Sequence, residues 1–190
     1  MKNIAIFASG NGTNAENIAK YFSKSESIKV SLILSNKAEA GVHERAARLG
    51  IPSFTFPRDS FIDGAPIVEI LRQHQIDFII LAGFLCYVAR PLLDAYPGKI
   101  INIHPSLLPK FGGKGMYGNK VHEAVLAAGE KESGITIHYI NEHYDEGQII
   151  FQATCPVLPD DTPDSLAARV HKLEYEYFPK IIEKVVGEAK

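Results

Sequence analysis

The sequence predicts an α/β protein with a doubly wound, mostly parallel sheet, a C-terminal antiparallel hairpin and a long final helix. Apolar runs of strand length alternate with amphipathic stretches through the first half of the chain, which is typical of parallel strands joined by right-handed crossovers. Two alternating segments separated by a short polar loop predict the hairpin. A periodic stretch over residues 163–186 predicts the long helix.

The first half of the chain supplies the parallel strands. Apolar runs predict strands over residues 3–8, 30–35, 52–56 and 77–84. Helical periodicity follows the first strand up to Phe22 and is expected again over residues 41–49 and 65–73. Gly50 is suited to end the second of these helices, and Pro66 is compatible with the first turn of the third.

The second half begins with a short helix over residues 91–96 and a strand over residues 100–104. A glycine-rich loop over residues 110–119 is expected to order over a ligand. The remaining predicted elements are a helix over 121–128, strands over 134–140 and 148–157, and the final helix, which Pro179 is expected to break or bend.

Composition limits the class of protein. A chain of 190 residues with 46% hydrophobic content predicts one domain over residues 1–190. The chain has 20 Lys and Arg residues against 22 Asp and Glu residues, and it contains no run of basic residues suited to bind a phosphate backbone. No nucleic-acid partner is therefore expected. The N-terminus lacks a signal-peptide pattern, and no segment approaches the roughly 20 apolar residues of a membrane span, so we expect a cytoplasmic protein. Cys86 and Cys155 are expected to be reduced apolar residues, without a metal site.

A glycine-rich turn follows the first strand. The sequence of residues 9–14, SGNGTN, joins a strand to a helix, a unit that directs backbone N–H groups and a helix N-terminus at an anion. It lacks the Lys-Ser/Thr of a Walker loop, and Ala15 stands where the dinucleotide motif has its last glycine. The turn predicts a phosphate site, and the alternative is a tight turn in which Thr13 or Asn14 caps the helix.

Asn102 and His104 end the strand over residues 100–104. They are two residues apart, so both side chains point to one side of the strand and Ile103 points to the other. An amide donor and an imidazole together are suited to stabilise an oxyanion and move a proton in acyl transfer. The alternative is that Asn102 caps a turn and His104 is a satisfied buried histidine. Both this pair and the glycine-rich turn lie at the carboxyl ends of predicted parallel strands, where α/β sheets bind ligands.

The hairpin loop carries three carboxylates, Glu142, Asp145 and Glu146. A carboxylate beside His104 would favour the protonated imidazole and assist proton transfer. By sequence alone, solvated loop charges are the favoured interpretation. His122, at the start of a helix, is expected to have at most an indirect role.

The motifs taken together resemble the folate-dependent formyltransferases. The resemblance rests on SGNGTN, LAGF after the fourth strand, NIHPSLLP, GITIH and YDEGQII, and it covers residues 4–179. It implies a Rossmann-like formyltransferase fold. The first loop is similar to the branch that acts on glycinamide ribonucleotide, which implies 5'-phosphoribosylglycinamide and 10-formyltetrahydrofolate as substrates, with no metal and a monomer or homodimer.

The resemblance also assigns site residues. Asn102, His104 and Asp145 match the catalytic residues of the family, with Asn102 and protonated His104 stabilising the oxyanion. The positions that match the phosphate and ribose site are Gly12, Thr13, Asn14 and Glu174. The positions that match the folate pocket are Leu85, Cys86, Tyr87, Val88, Asn102, Ile140 and Asn141. Two positions depart from the pattern, since some relatives carry Arg at Cys86 and near Gly64.

Other functions share parts of this pattern. Formyltransferases acting on methionyl-tRNA or sugar nucleotides, and formyltetrahydrofolate hydrolases, use the same core but usually carry a further domain. A non-catalytic nucleotide-binding module would use only residues 10–14 and would not bind folate.

Overall fold

The computed structural model describes residues 1–189, which form one seven-stranded sheet with helices on both faces. The strands are β1 (Lys2–Phe7), β2 (Ile28–Ser35), β3 (Ser53–Thr55), β4 (Phe78–Leu81), β5 (Ile100–His104), β6 (Glu132–Tyr139) and β7 (Ile149–Pro156). The helices are α1 (Thr13–Tyr21), α2 (Val42–Leu49), α3 (Arg58–Asp63), α4 (Ala65–Gln73), α5 (Arg90–Ala95), α6 (Asn119–Ala127) and α7 (Pro163–Glu188), and a 3₁₀ turn covers Phe22–Lys24.

The sheet has the order β3-β2-β1-β4-β5-β6-β7. Strands β1 to β5 pair in parallel, whereas β6 pairs antiparallel with both β5 and β7. This confirms the predicted doubly wound, mostly parallel sheet with a C-terminal hairpin. The winding reverses between β1 and β4, so the carboxyl ends of these two strands open a crevice in which such sheets bind ligands.

The central strand β1 is buried on both faces. Ile4 and Ile6 pack into one apolar cluster with α1, α2, α6 and α7, and Ala5 and Phe7 pack into a second cluster with α3, α4 and α5. Successive side chains of β1 point to opposite faces of the sheet, and helices cover both faces. The strand is therefore apolar from Ile4 to Phe7.

Some predicted elements differ from the observed ones. The six-residue helix α3 was not predicted, and β4 ends at Leu81 rather than residue 84, because Gly83 turns the chain with a φ of 73°. Of the break or bend expected at Pro179, the break is wrong, since α7 is one helix of 26 residues that includes Pro179. Phe178 and Ile182, on either side of Pro179, are both fully buried in one cluster, and this packing keeps the helix continuous despite the missing backbone donor.

Among residues 1–189, no helix combines the length and the apolar character that crossing a membrane requires.

Candidate active site

A cavity of about 670 Å³ opens at the carboxyl ends of β1, β4 and β5. Every site residue predicted from the sequence lines it: Gly12, Thr13, Asn14, Leu85, Cys86, Tyr87, Val88, Asn102, His104, Ile140, Asn141, Asp145 and Glu174. Residues 113–118 of the glycine-rich loop line the same cavity. The fold thus brings together distant segments, such as Asn14 and Glu174, which lie 160 residues apart in the chain.

The glycine-rich turn leads into the N-terminus of α1 without a side-chain cap. Gly12 is the N-cap residue, with a φ of 72°, and a Cβ placed there would lie 2.4 Å from Cγ2 of Val42. The alternative interpretation, in which Thr13 or Asn14 caps the helix, is wrong, because no side-chain cap is formed. The first N–H groups of α1 therefore face the cavity as potential anion donors.

Ser9 holds the turn in place. Its hydroxyl donates to Oδ1 of Asn36 over 2.6 Å and accepts from the backbone N–H of Leu85 over 2.9 Å. Its backbone N–H donates to the carbonyl of Gly83 over 3.0 Å. These bonds tie the turn after β1 to the loops after β2 and β4 at the carboxyl edge of the sheet.

Asn102 is oriented by a histidine that sequence analysis did not single out. His138 lies opposite Asn102 in the β5–β6 register, and Nδ2 of Asn102 donates to Nε2 of His138 over 3.1 Å. Nδ1 of His138 lies 3.0 Å from the carbonyl of Tyr139 and donates to it. Burial lowers the pKa of His138, so the ring is neutral and Nε2 is free to accept.

His104 is nearly fully buried, at 4% exposure. Its Nε2 lies 2.8 Å from the carbonyl of Phe111, to which it donates. Its Nδ1 lies 3.6 Å from Oδ2 of Asp145, and Oδ1 of the same carboxylate lies 3.7 Å from Nε2 of His138. Both separations are longer than a hydrogen bond.

Asp145 is the one carboxylate of the hairpin loop that turns into the cavity. Its backbone has a φ of 55°, and Oδ2 accepts from the N–H of Gly113 over 2.9 Å. Glu142 is exposed and pairs with Arg90 at 3.2 Å, and Glu146 is exposed as well. The expectation that all three acids are simply solvated is therefore wrong for Asp145.

Glu174 and Asn14 form the opposite end of the cavity. Glu174 is 6% exposed and accepts from Nδ2 of Asn14 over 2.7 Å, and burial raises the pKa of its carboxyl. Oδ1 of Asn14 is buried without a partner among residues 1–189. This end therefore presents an acceptor and a carboxyl group suited to hydroxyl groups of a ligand.

The side of the cavity near β4 is a partly apolar slot. Cys86 and Val88 are each 7% exposed, and the ring of Tyr87 lies 5.3 Å from that of Tyr144. The hydroxyl of Tyr87 donates to the carbonyl of Glu142 over 2.9 Å, which joins the two loops that form the slot. A flat aromatic group with polar edges fits such a wall.

Two further residues line the cavity: Arg58, which the sequence pattern did not indicate, and His122, for which it indicated at most an indirect role. Arg58, at the start of α3, lines the cavity and is an electrostatic neighbour of Cys86. His122, expected to act at most indirectly, also lines the cavity directly while only 1% exposed. Among residues 1–189, no three His, Cys, Asp or Glu side chains are grouped to hold a metal ion.

A crevice at the reversal point of a doubly wound sheet, furnished with an amide, an imidazole and a carboxylate, defines an α/β enzyme of the acyl-transfer class. Comparison with known proteins specifies the class. The formyl transferase family profile matches residues 2–182, and the chain belongs to this family.

Individual relatives carry a more specific name. The chain is 42% identical to the chloroplastic phosphoribosylglycinamide formyltransferase of Vigna unguiculata over 98% of its length, but it spans only 62% of that relative. It is 41% identical to phosphoribosylglycinamide formyltransferase of Bacillus subtilis (strain 168), covering 98% of this chain and 96% of the relative. The crystal structure of phosphoribosylglycinamide formyltransferase from Streptococcus pneumoniae TIGR4 superposes with a TM-score of 0.87 at 41% identity, covering 97% of this chain and 99% of the other.

Proposed function

We propose that the protein transfers the formyl group of 10-formyltetrahydrofolate to the amine of 5'-phosphoribosylglycinamide, a step of de novo purine synthesis. The observation that carries the proposal is the position of Asp145, which turns into the cavity beside His104 and on the same side as Asn102. The names of the relatives from Bacillus subtilis and Streptococcus pneumoniae support the acceptor.

The ribonucleotide occupies the end of the cavity formed by α1 and α7. The backbone N–H groups of Gly12, Thr13 and Asn14 receive the phosphate at the uncapped helix N-terminus. Glu174 and the unpaired Oδ1 of Asn14 receive the ribose hydroxyls. This arrangement directs the glycyl amine toward Asn102 and His104.

The folate occupies the slot walled by Leu85, Cys86, Tyr87, Val88, Ile140 and Asn141, and its formyl group lies next to Asn102. An arginine at position 64 is incompatible with this backbone, because Gly64 has a φ of 79° and a Cβ there would lie 2.7 Å from Cβ of Pro91. We assign the missing positive charge to Arg58, which lines the cavity beside Cys86.

The chemistry is direct attack of the neutral amine on the formyl carbon. A new C–N bond forms, the carbonyl oxygen becomes an oxyanion, and the bond from carbon to N10 of the folate then breaks. Nδ2 of Asn102 and the imidazole of His104 stabilise the oxyanion. A proton passes from the attacking amine to N10 of the folate through water held by Asp145.

The remaining assignments belong to the same proposal. One domain over residues 1–190 carries the whole site. The partners are the two small molecules rather than nucleic acid or a membrane, and no metal takes part. The protein acts in the cytoplasm as a monomer or homodimer.

Formyl transfer from 10-formyltetrahydrofolate to 5'-phosphoribosylglycinamide tests the proposal. Folate absorbance and product mass are followed with and without the acceptor, and a formylated ribonucleotide that requires both substrates is the expected result. Folate turnover without the acceptor would identify a hydrolase. Folate binding without turnover would contradict this acceptor and point to another amine, and absence of folate binding would identify a nucleotide-binding module.

A further inference from the structure

His122 is a buried imidazole that the proposed chemistry leaves without a role. It lies in the first turn of α6, is 1% exposed and lines the cavity. Its Nδ1 is buried without a hydrogen-bond partner among residues 1–189. An unpaired buried nitrogen costs stability. Because the residue lines the cavity, a ligand seated there is the group that can reach the ring and supply a hydrogen bond.

Two titratable groups act on His122 from neighbouring elements. They are His104, at the end of β5, and His171, on α7. His104 belongs to the formyl-transfer centre, whereas His171 is an electrostatic neighbour of Glu174 at the ribonucleotide end. His122 therefore has one neighbour at each end of the acceptor site.

The charge of His122 limits the kind of ligand it can bind. Burial, with the nearby imidazoles of His171 and His104, lowers the pKa of His122 to about 4. The ring is then neutral near pH 7 and offers one donor and one acceptor. A phosphate or carboxylate gains little from such a ring, whereas a neutral amide, with its own N–H and carbonyl, can pair with either tautomer.

We propose that His122 hydrogen-bonds the carboxamide of the ribonucleotide and so positions the adjacent amine for attack. The carboxamide is the neutral group that separates the amine from the ribose in 5'-phosphoribosylglycinamide. This inference rests on the proposed function, and it makes His122 a determinant of specificity for an amide-linked acceptor.

Binding of two ligands to matched variants tests the inference. Calorimetry compares 5'-phosphoribosylglycinamide with ribose 5-phosphate, which keeps the phosphate and sugar but lacks the amide. In His122→Leu and His122→Phe, Kd for the glycinamide ribonucleotide should rise roughly 3- to 10-fold, as expected for one lost neutral hydrogen bond. Kd for ribose 5-phosphate and KM for the formyl donor should not change. His122→Asn, which keeps a polar atom near the position of Nδ1, should restore part of the lost affinity.

Two results would overturn the inference. Equal weakening of both ligands would show that the ring supports the sugar end or the cavity as a whole, and unchanged binding of both would show that it contacts neither. Two apolar variants are used because, if one of them fails to fold, the other still provides the test. Wild-type protein is assayed first: if it does not formylate the ribonucleotide, the proposed function fails, whereas normal activity with unchanged variants contradicts only the role of His122.

Discussion

Nδ2 of Asn102 donates a hydrogen bond to Nε2 of His138 over 3.1 Å. Nδ1 of the neutral His138 ring donates to the carbonyl of Tyr139, so Nε2 can only accept a hydrogen bond. The bond therefore determines the orientation of the Asn102 amide, with Nδ2 toward His138. The second hydrogen of the Asn102 amide is then free to point into the cavity. His138 is thus a positioning residue for the amide that the proposed chemistry uses as the oxyanion donor.

Replacing His138 by Leu should lower kcat on the order of tenfold, because Asn102 loses the partner that orients its amide. KM for both substrates should stay near the wild-type value, since His138 does not line the cavity. Steady-state kinetics measure both parameters, and His138→Gln, which retains an acceptor, should recover part of kcat. An unchanged kcat in the Leu variant would show that Asn102 holds its orientation without His138.

Substitution of Gly12 by Ala should destabilise the protein and impair binding of the ribonucleotide. The alanine would have to adopt a left-handed backbone conformation, at a cost of about 1–3 kcal/mol for the backbone strain alone. Its Cβ would also collide with Val42. Gly10→Ala is the matched control, because a Cβ there meets nothing within 4 Å. Urea unfolding of both variants provides the comparison, and equal stabilities would contradict the strain at Gly12.

Arg58→Ala should raise KM for the formyl donor roughly 3- to 10-fold and leave KM for the ribonucleotide unchanged, because Arg58 lines the cavity and acts on Cys86, where the proposal seats the folate. The effect should shrink as salt increases, since Arg58 is exposed. Arg72→Ala, an exposed arginine on α4 outside the cavity wall, serves as the control. A parallel rise in both KM values would place Arg58 outside the folate contact.

The low pKa of His122 predicts a loss of stability in acid. Its pKa is about 4 in the folded protein and about 6.5 when unfolded, so between these pH values only the unfolded chain binds the proton. The free energy of unfolding should therefore fall as pH drops from 6.5 toward 4, with a contribution from this group on the order of 2 kcal/mol at pH 5.

Urea unfolding of wild type and His122→Leu at pH 7.5 and 5 isolates this contribution, because the two proteins are identical at every other residue. The difference in stability between the two proteins should shift in favour of the variant at pH 5. A difference that is the same at both pH values would show that His122 titrates normally.

The sequence predicted the parts of the fold and site that depend on local pattern. The alternation through residues 100–104 placed Asn102 and His104 on one side of a strand, and the glycine-rich turn marked the start of α1. Both predictions hold because strand period and turn chemistry are local properties. The resemblance to a family supplied Asp145 and Glu174, which no local pattern assigns.

Other features depend on tertiary structure. The role of His138 follows from its register with Asn102 across β5 and β6, and the inward turn of Asp145 needs both its left-handed φ and the N–H of Gly113. Helix α3, which carries Arg58, has six residues and is too short to show helical periodicity. The continuity of α7 through Pro179 depends on packing against the core, which overrides a local helix breaker.

The most direct test of the account is the single-turnover rate of formyl transfer in Asn102→Ala and Asp145→Ala, measured with both substrates saturating. Each variant should fold and bind both substrates as wild type does, yet transfer the formyl group about 100- to 1000-fold more slowly, as expected when an oxyanion donor or its proton-transfer partner is lost. Transfer at the wild-type rate in either variant would contradict the role assigned to that residue and, with it, the proposed chemistry of the site.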